Sequence, residues 1–237
     1  MKQQAESDVR ILALESSTEI GSVALFEGEL LLGHIEIRKA KSHARLMSPM
    51  IQQLLENLEV SAASLDAIGV SSGPGSYTGL RVGVSTAKGL CMALDKPLLS
   101  LGSLEALAWQ ARETAQQLQA LICPMIDARR MEVYCALYDA DLKEVSPVQA
   151  HIMEADSFAK LLAERKIIFL GDGVKKCQNI LQAHPNALLW SDRLATAKTM
   201  GAALLQKYQA GQMEDLVQFE PFYLKSFVAT KSKKKYF

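Results

Sequence analysis

Residues Gly69–Leu90 read GVSSGPGSYTGLRVGVSTAKGL. An apolar run, Ala67 to Ser71, passes through the turn Gly73-Pro74-Gly75 into a segment with helical periodicity, Tyr77 to Leu94. A strand feeding a glycine turn and then a helix is the unit of a parallel sheet with right-handed crossovers. The glycines admit two readings. Phosphate-binding loops need amides aimed at a ligand, but a Walker loop requires G-x-x-x-x-G-K before Ser or Thr, and a dinucleotide fingerprint requires glycine where Thr78 stands. The other reading is packing. Gly75, Gly79, Gly83, Ala87 and Cys91 fall four apart, forming a ridge of small residues. Interior helical glycine costs about 0.5–1 kcal/mol against alanine, so a compensating backbone approach is expected, from the chain's own sheet or from another subunit.

Outward from this segment the same grammar repeats. Val9 to Glu15 is a strand, and GSVALFEGELLLGHIEI supplies two more around the Glu27-Gly28 turn. Leu46, Met50, Ile51, Leu54, Leu55 and Leu58 recur at helical spacing, Leu98 to Leu101 is a strand, and Leu104 to Gln117 a helix. The second half is read as strands Leu121 to Ile126, Glu132 to Tyr138, Val148 to Ile152 and Ile167 to Leu170, with helices Asp156 to Arg165, Val174 to Gln182 and Ala195 to Gln209. Glu15 matches Asp127, Ala24 matches Ala136, Phe26 matches Tyr138 and Leu30 matches Leu142, all 112 positions apart (127 − 15, 136 − 24, 138 − 26, 142 − 30). That register and the element order predict a duplicated α/β fold, two lobes facing across a cleft. The expected division is a disordered 1–8, lobes at 9–118 and 119–225 with the final helix able to return to the first lobe, and a basic tail at 226–237.

With 237 residues, nearly half apolar, the chain can bury a large core. Twenty-six basic residues balance twenty-six acidic ones, so direct grip on a nucleic acid is not expected, and any nucleic-acid role is expected to be indirect. Cys91, Cys123, Cys135 and Cys177 lie far apart without a C-x-x-C pair, which suits a reducing cytoplasm. His34, His43, His151 and His184 share no metal-ligand spacing. Neither a signal-peptide pattern nor an apolar run of membrane-spanning length is present in the sequence. Two hydroxyl- or glycine-bearing turns, Ser16-Ser17 and Gly171-Asp172-Gly173, are the positions at which a nucleotide in the cleft would be touched. The turn after Asp127, Ala128-Arg129-Arg130-Met131, has no glycine to admit a phosphate. The serines Ser71, Ser72 and Ser76 lack the G-x-S-x-G context of a hydrolase.

Taken together, LALESSTEIGSVAL, SSGPGSYTGLRVGVSTAKGL, IDARRMEVYCALY and EPFYLK resemble the TsaB (YeaZ) family, over essentially the whole chain. The resemblance implies a duplicated actin-like fold of the ASKHA, ribonuclease H-like group. It also implies a non-catalytic subunit of the machinery that transfers a threonylcarbamoyl group to N6 of adenosine 37 in tRNAs reading codons that begin with A. The implied partners are the catalytic paralogue TsaD, the ATPase TsaE through that pair, and a second copy when the chain is alone. Aligned with the paralogue's H-x-x-x-H metal pair stand Ser103 and Leu107, neither of them a ligand. No cofactor is expected, apart from weak or interfacial ATP or ADP binding. The two helices of the first lobe are the implied docking surface, with Met47, Met50, Leu54, Tyr77, Gly79, Leu80, Gly83, Val84 and Ala87 as its residues. The competing readings are an actin-like ATPase or kinase that holds nucleotide at Ser16, Ser17, Gly171 and Gly173, and a peptidase.

Overall fold

A computed structural model describes residues 9–39 and 42–225; the expectations for the first eight residues and for the basic tail lie outside them. The first half runs β1 (Arg10–Glu15), β2 (Gly21–Glu27), β3 (Leu30–Ile37), α1 (His43–Asn57), β4 (Ala67–Gly73), α2 (Tyr77–Leu94) and β5 (Leu98–Gly102). Two short helices follow, α3 (Ser103–Trp109) and α4 (Arg112–Leu118). The second half repeats the plan with β6 (Leu121–Asp127), β7 (Glu132–Tyr138), β8 (Glu144–Ile152), α5 (Ala159–Glu164), β9 (Ile167–Leu170), α6 (Val174–Leu181), β10 (Ala187–Trp190) and α7 (Gly201–Gln209).

The two five-stranded sheets have orders β3-β2-β1-β4-β5 and β10-β9-β6-β7-β8, which are the same order once one is read backwards. In each, a three-strand antiparallel meander carries two parallel strands on its first member. The central strands are apolar without alternation because both faces are covered. On β1, Leu12 and Leu14 enter the core under α1 and α2, while Ile11 and Ala13 enter the core formed with Met200, Leu204 and Leu205.

Packing crosses the boundary between the halves. Leu104, Leu107, Ala108, Ala111 and Ala115, from α3 and α4, join the core of the second sheet with Ile122, Ile126 and Ile168. Conversely, α7 lies on the first sheet. Each half therefore closes its sheet with the other half's last helices, and a cut at residue 118 divides the sequence repeat but not the cores.

Several element boundaries differ from the sequence reading. The helix expected over Leu104 to Gln117 is interrupted at Gln110 and Ala111, whose amides bond three residues back, to Leu107 and Ala108. β8 begins at Glu144 and tolerates Pro147 because it is an edge strand. Ala187–Trp190 is a strand that the sequence reading did not contain, and the last helix starts at Gly201, after a 3₁₀ turn at Ala197–Thr199.

Candidate functional site

The turns at the carboxyl ends of β1 and β4 form one buried polar cluster. Glu15 is fully buried, and its Oε1 accepts Ser17 N at 2.6 Å and Ser71 Oγ at 3.0 Å. Ser71 Oγ is also 3.2 Å from Ser103 Oγ, at the start of α3. Oε2 makes no hydrogen bond among the described residues. Burial pushes the Glu15 carboxyl above the ordinary glutamate range, against the pull of hydrogen bonds from Ser17 and Ser71. Ser103 and Leu107, at the paralogue's histidine positions, are both buried. Among the described residues no group of three or more His, Cys, Asp or Glu side chains is placed to hold a metal.

The glycine ridge of α2 faces this cluster. A Cβ on Gly75 would collide with Ser17 O, one on Gly79 with Ser16 O, and one on Gly83 with Ser16 Oγ. Ser76 N donates to Ser17 O at 2.6 Å, and Ser16 Oγ donates to Gly79 O at 2.9 Å. The ridge is thus the seat of the chain's own β1–β2 turn, and the expectation that it forms a seam between subunits is corrected. So is most of the expected docking list. Met47, Met50, Leu54, Leu80, Val84 and Ala87 are at most 4% exposed, and Gly79 and Gly83 are buried, because these positions are the inward stripe of an amphipathic helix pair. Only Tyr77 reaches the surface.

The second lobe repeats the cluster in an open, charged form. Asp127 Oδ1 accepts Arg129 N at 2.6 Å and pairs with Lys176 Nζ at 2.5 Å, while Asp127 N donates to Asp172 Oδ1 at 3.0 Å. Burial, reinforced by the Asp127 charge, raises the Asp172 carboxyl above the ordinary aspartate range. Arg129 and Arg130 both have left-handed backbones, φ 69° and 50°. Gly171 shares φ +111° with Gly73, and a Cβ on it would strike Met125 O; Gly173 N donates to that same carbonyl at 3.1 Å.

The actin-like fold implies a nucleotide between the lobes, and these contacts test the fit. Ser17 and Ser16 carbonyls stand where Cβ atoms on Gly75 and Gly79 would lie, and the Met125 carbonyl stands against Gly171 and accepts the Gly173 amide. The Ser17 amide, the Ser16 hydroxyl and the Gly173 amide, three donors that a phosphate would use, are engaged by the chain's own groups, while the buried Ser17 Oγ has no hydrogen-bond partner among the described residues.

What α1 and α2 present outward is a different set, opposite the ridge by the helical period. Ala44, Arg45 and Ser48 on α1, and Thr78, Arg81, Ser85 and Met92 on α2, are exposed. Between the helices runs a shallow groove of about 460 Å³ lined by Ala44, Tyr77, Thr78, Arg81, Ser85 and their neighbours. Arg81 Nη1 donates to Tyr77 Oη at 3.0 Å, and its guanidinium lies 5.5 Å from the Tyr77 ring centroid. The sequence pattern held these residues as well, as the polar positions between the apolar ones.

Two sheets of one topology, related by duplication and covered by exchanged helices, define a protein of the duplicated actin-like ATPase fold. The family described as "TsaD: tRNA N6-adenosine threonylcarbamoyltransferase" matches residues 34–233. The chain is 36% identical over 166 residues to the tRNA threonylcarbamoyladenosine biosynthesis protein TsaB of Bacillus subtilis, covering 68% of this chain and 70% of that one. Against the TsaB of Escherichia coli it is 34% identical over 136 residues, 56% of each chain. The structure of YeaZ from Pseudomonas aeruginosa superposes with a TM-score of 0.76 at 26% identity, over 91% of this chain and 100% of that one. An inorganic polyphosphate/ATP-glucomannokinase from Arthrobacter shares the fold, with a TM-score of 0.51 at 12% identity over 85% of this chain and 100% of that one. The chain belongs to the TsaB family of tRNA threonylcarbamoyladenosine biosynthesis proteins, within the wider family that includes the TsaD transferases.

Proposed function

We propose that this protein is a non-catalytic subunit that docks on the TsaD transferase through the outer face of α1 and α2 and holds it in its active arrangement. The observation that carries the reading is the contrast between the two sides of α2. Its inner side is closed by Ser16, whose carbonyl and hydroxyl stand where Cβ atoms on Gly79 and Gly83 would lie. Its outer side carries Tyr77 and Arg81 on an accessible groove, and Tyr and Arg are the residue types that dominate binding energy at interfaces. The same face serves a second copy when the transferase is absent, so the homodimer and the heterodimer compete. TsaE joins the pair, and tRNA is met through the transferase, in keeping with the neutral charge balance. ATP or ADP has no place in the crevice of this chain on this reading.

The test is co-expression with the TsaD transferase, purification of the pair, and measurement of threonylcarbamoyl transfer to tRNA with and without this chain. Stable co-elution and a rate that depends on this chain are expected. An unchanged rate in its absence, or micromolar ATP binding to the isolated chain by calorimetry, would replace the scaffold with the ATPase or kinase reading.

A further inference from the structure

Residues 210–225, after α7, have no long helix or strand of their own, yet they are bonded to the body along their length. Glu214 N donates to Leu98 O at 2.9 Å, and its Oε1 accepts Ser100 Oγ at 2.5 Å, on the edge strand β5. Lys88 Nζ, on α2, donates to the carbonyls of Val217 and Phe219 at 3.2 and 3.0 Å. Phe222 N donates to Ser72 O at 2.7 Å, at the carboxyl end of β4, and the Tyr223 ring lies 4.8 Å from that of Tyr77. Lys225 then pairs with Glu132 and stands 5.7 Å from the Tyr134 ring centroid.

Those last contacts change lobe. Glu132 opens β7 beside the carboxyl end of β6, where Asp127 faces Val133. The chain passes from one sheet to the other within residues 222–225, a stretch that reaches at most about 3.5 Å per residue. In open α/β sheets ligands bind outside the carboxyl ends of the strands. Here residues Phe222 to Lys225 run from the end of β4 to the start of β7, beside the end of β6. Gly73 is fitted to that occupant. Its φ is +111°, and a Cβ there would lie 2.7 Å from Phe222 O.

We propose that residues 212–225 are an internal clamp that fills the mouth of the interlobe crevice and sets the spacing of the lobes. The crevice opens only when the Phe222–Ser72 bond, the Tyr223–Tyr77 ring contact and the Lys225–Glu132 pair are released together. Leu216 and Phe219 anchor the segment on the first core, whereas Phe222 and Tyr223 are 46% and 37% exposed, so the crossing at residues 222–225 is held by backbone and polar contacts more than by burial and is releasable without unfolding either core. The α3 contacts with both sheets are the hinge about which the lobes would part.

All four native cysteines are buried, so spin labels on Gln52→Cys (α1) and Lys175→Cys (α6) of the full chain report the lobe spacing directly. A single narrow distance is expected, broadening and lengthening in a Tyr223→Ser, Lys225→Glu background. An unaltered distribution there overturns the clamp. Amide exchange on the unsubstituted chain decides the matter independently of that variant's folding. The Phe222 amide should exchange at least about tenfold more slowly than an unstructured amide. Exchange at the unstructured rate also overturns it.

Discussion

Glu15 accepts the backbone N–H of Ser17 through Oε1 at 2.6 Å. One repeat later, Asp127 accepts the N–H of Arg129 at the same 2.6 Å. The two carboxylates hold the same turn at the same place in each lobe, and their surroundings have diverged. Asp127 is 47% exposed and paired with Lys176, whereas Glu15 is fully buried and has only hydroxyls and amides around it. Duplication preserved the local geometry while the surroundings changed from an open ion pair to a buried carboxyl held by hydroxyls and amides.

That difference gives Glu15 a pH signature. Its folded-state pKa is raised above the unfolded value, so the native state holds the proton more tightly than the unfolded chain does. Its contribution is complete below the ordinary glutamate range and is lost as pH rises through the folded-state value. Glu15→Gln keeps the acceptor for Ser17 N and Ser71 Oγ and removes the ionisation. The variant should match the parent near pH 4 and exceed it in denaturation midpoint at pH 8. Urea titrations across that range measure the difference, and parallel pH profiles for the two proteins would count against a raised Glu15 pKa.

Glycines on α2 separate packing from propensity. Gly89 is exposed, and nothing lies within 4 Å of the place a methyl group would take there, so Gly89→Ala should raise stability by about 0.5–1 kcal/mol through helix propensity alone. Gly79→Ala gains the same term but drives its methyl into Ser16 O, a backbone atom, and overpacking costs about 1–3 kcal/mol. A net loss is expected, with thermal melts as the measurement. Stabilisation by both substitutions would show that the β1–β2 turn does not rest on the ridge.

Arg129 and Arg130 occupy left-handed backbone conformations that cost an L-residue roughly 1–2 kcal/mol each. Arg130→Gly should therefore stabilise the monomer by about 1 kcal/mol in chemical denaturation. A destabilised variant would mean that the arginine side chain supplies more than the backbone loses.

The duplication was legible because both central strands, RILALE and LICPMID, are continuous apolar runs ended by an acid, and because Ala24 and Phe26 keep step with Ala136 and Tyr138. The glycine ridge was legible as a close approach, but its occupant was not. Helical spacing shows that Gly79 and Gly83 share a face, and nothing local shows that Ser16, 63 positions away from Gly79, fills it. For the same reason the expected docking list took in the apolar stripe, which the lobe buries in its own core. Met47, Leu54 and Val84 are the apolar positions of amphipathic helices, and in a globular lobe such positions go to the core first. The strand Ala187–Trp190 escaped notice because four half-buried residues on a sheet edge carry too short a pattern. The exchange of α3, α4 and α7 between sheets is a tertiary choice, open to any helix with an apolar face.

The outward stripe of α2 supplies the interface prediction. Arg81 and Ser85 are exposed, one helical turn apart, and line the groove beside Ala44. Reversing the charge at Arg81 also removes its contact over the Tyr77 ring. Since exposed substitutions away from special backbone sites usually alter stability by less than about 0.5 kcal/mol, Arg81→Glu with Ser85→Glu should leave the melting temperature nearly unchanged. Loss of an arginine anchor at an interface costs about 2 kcal/mol or more, so affinity for the TsaD transferase should fall at least tenfold. Calorimetric titration of the two purified proteins measures that fall, and sedimentation of the variant alone measures the matching loss of self-association. Wild-type affinity in a folded variant would place the docking surface elsewhere on the chain.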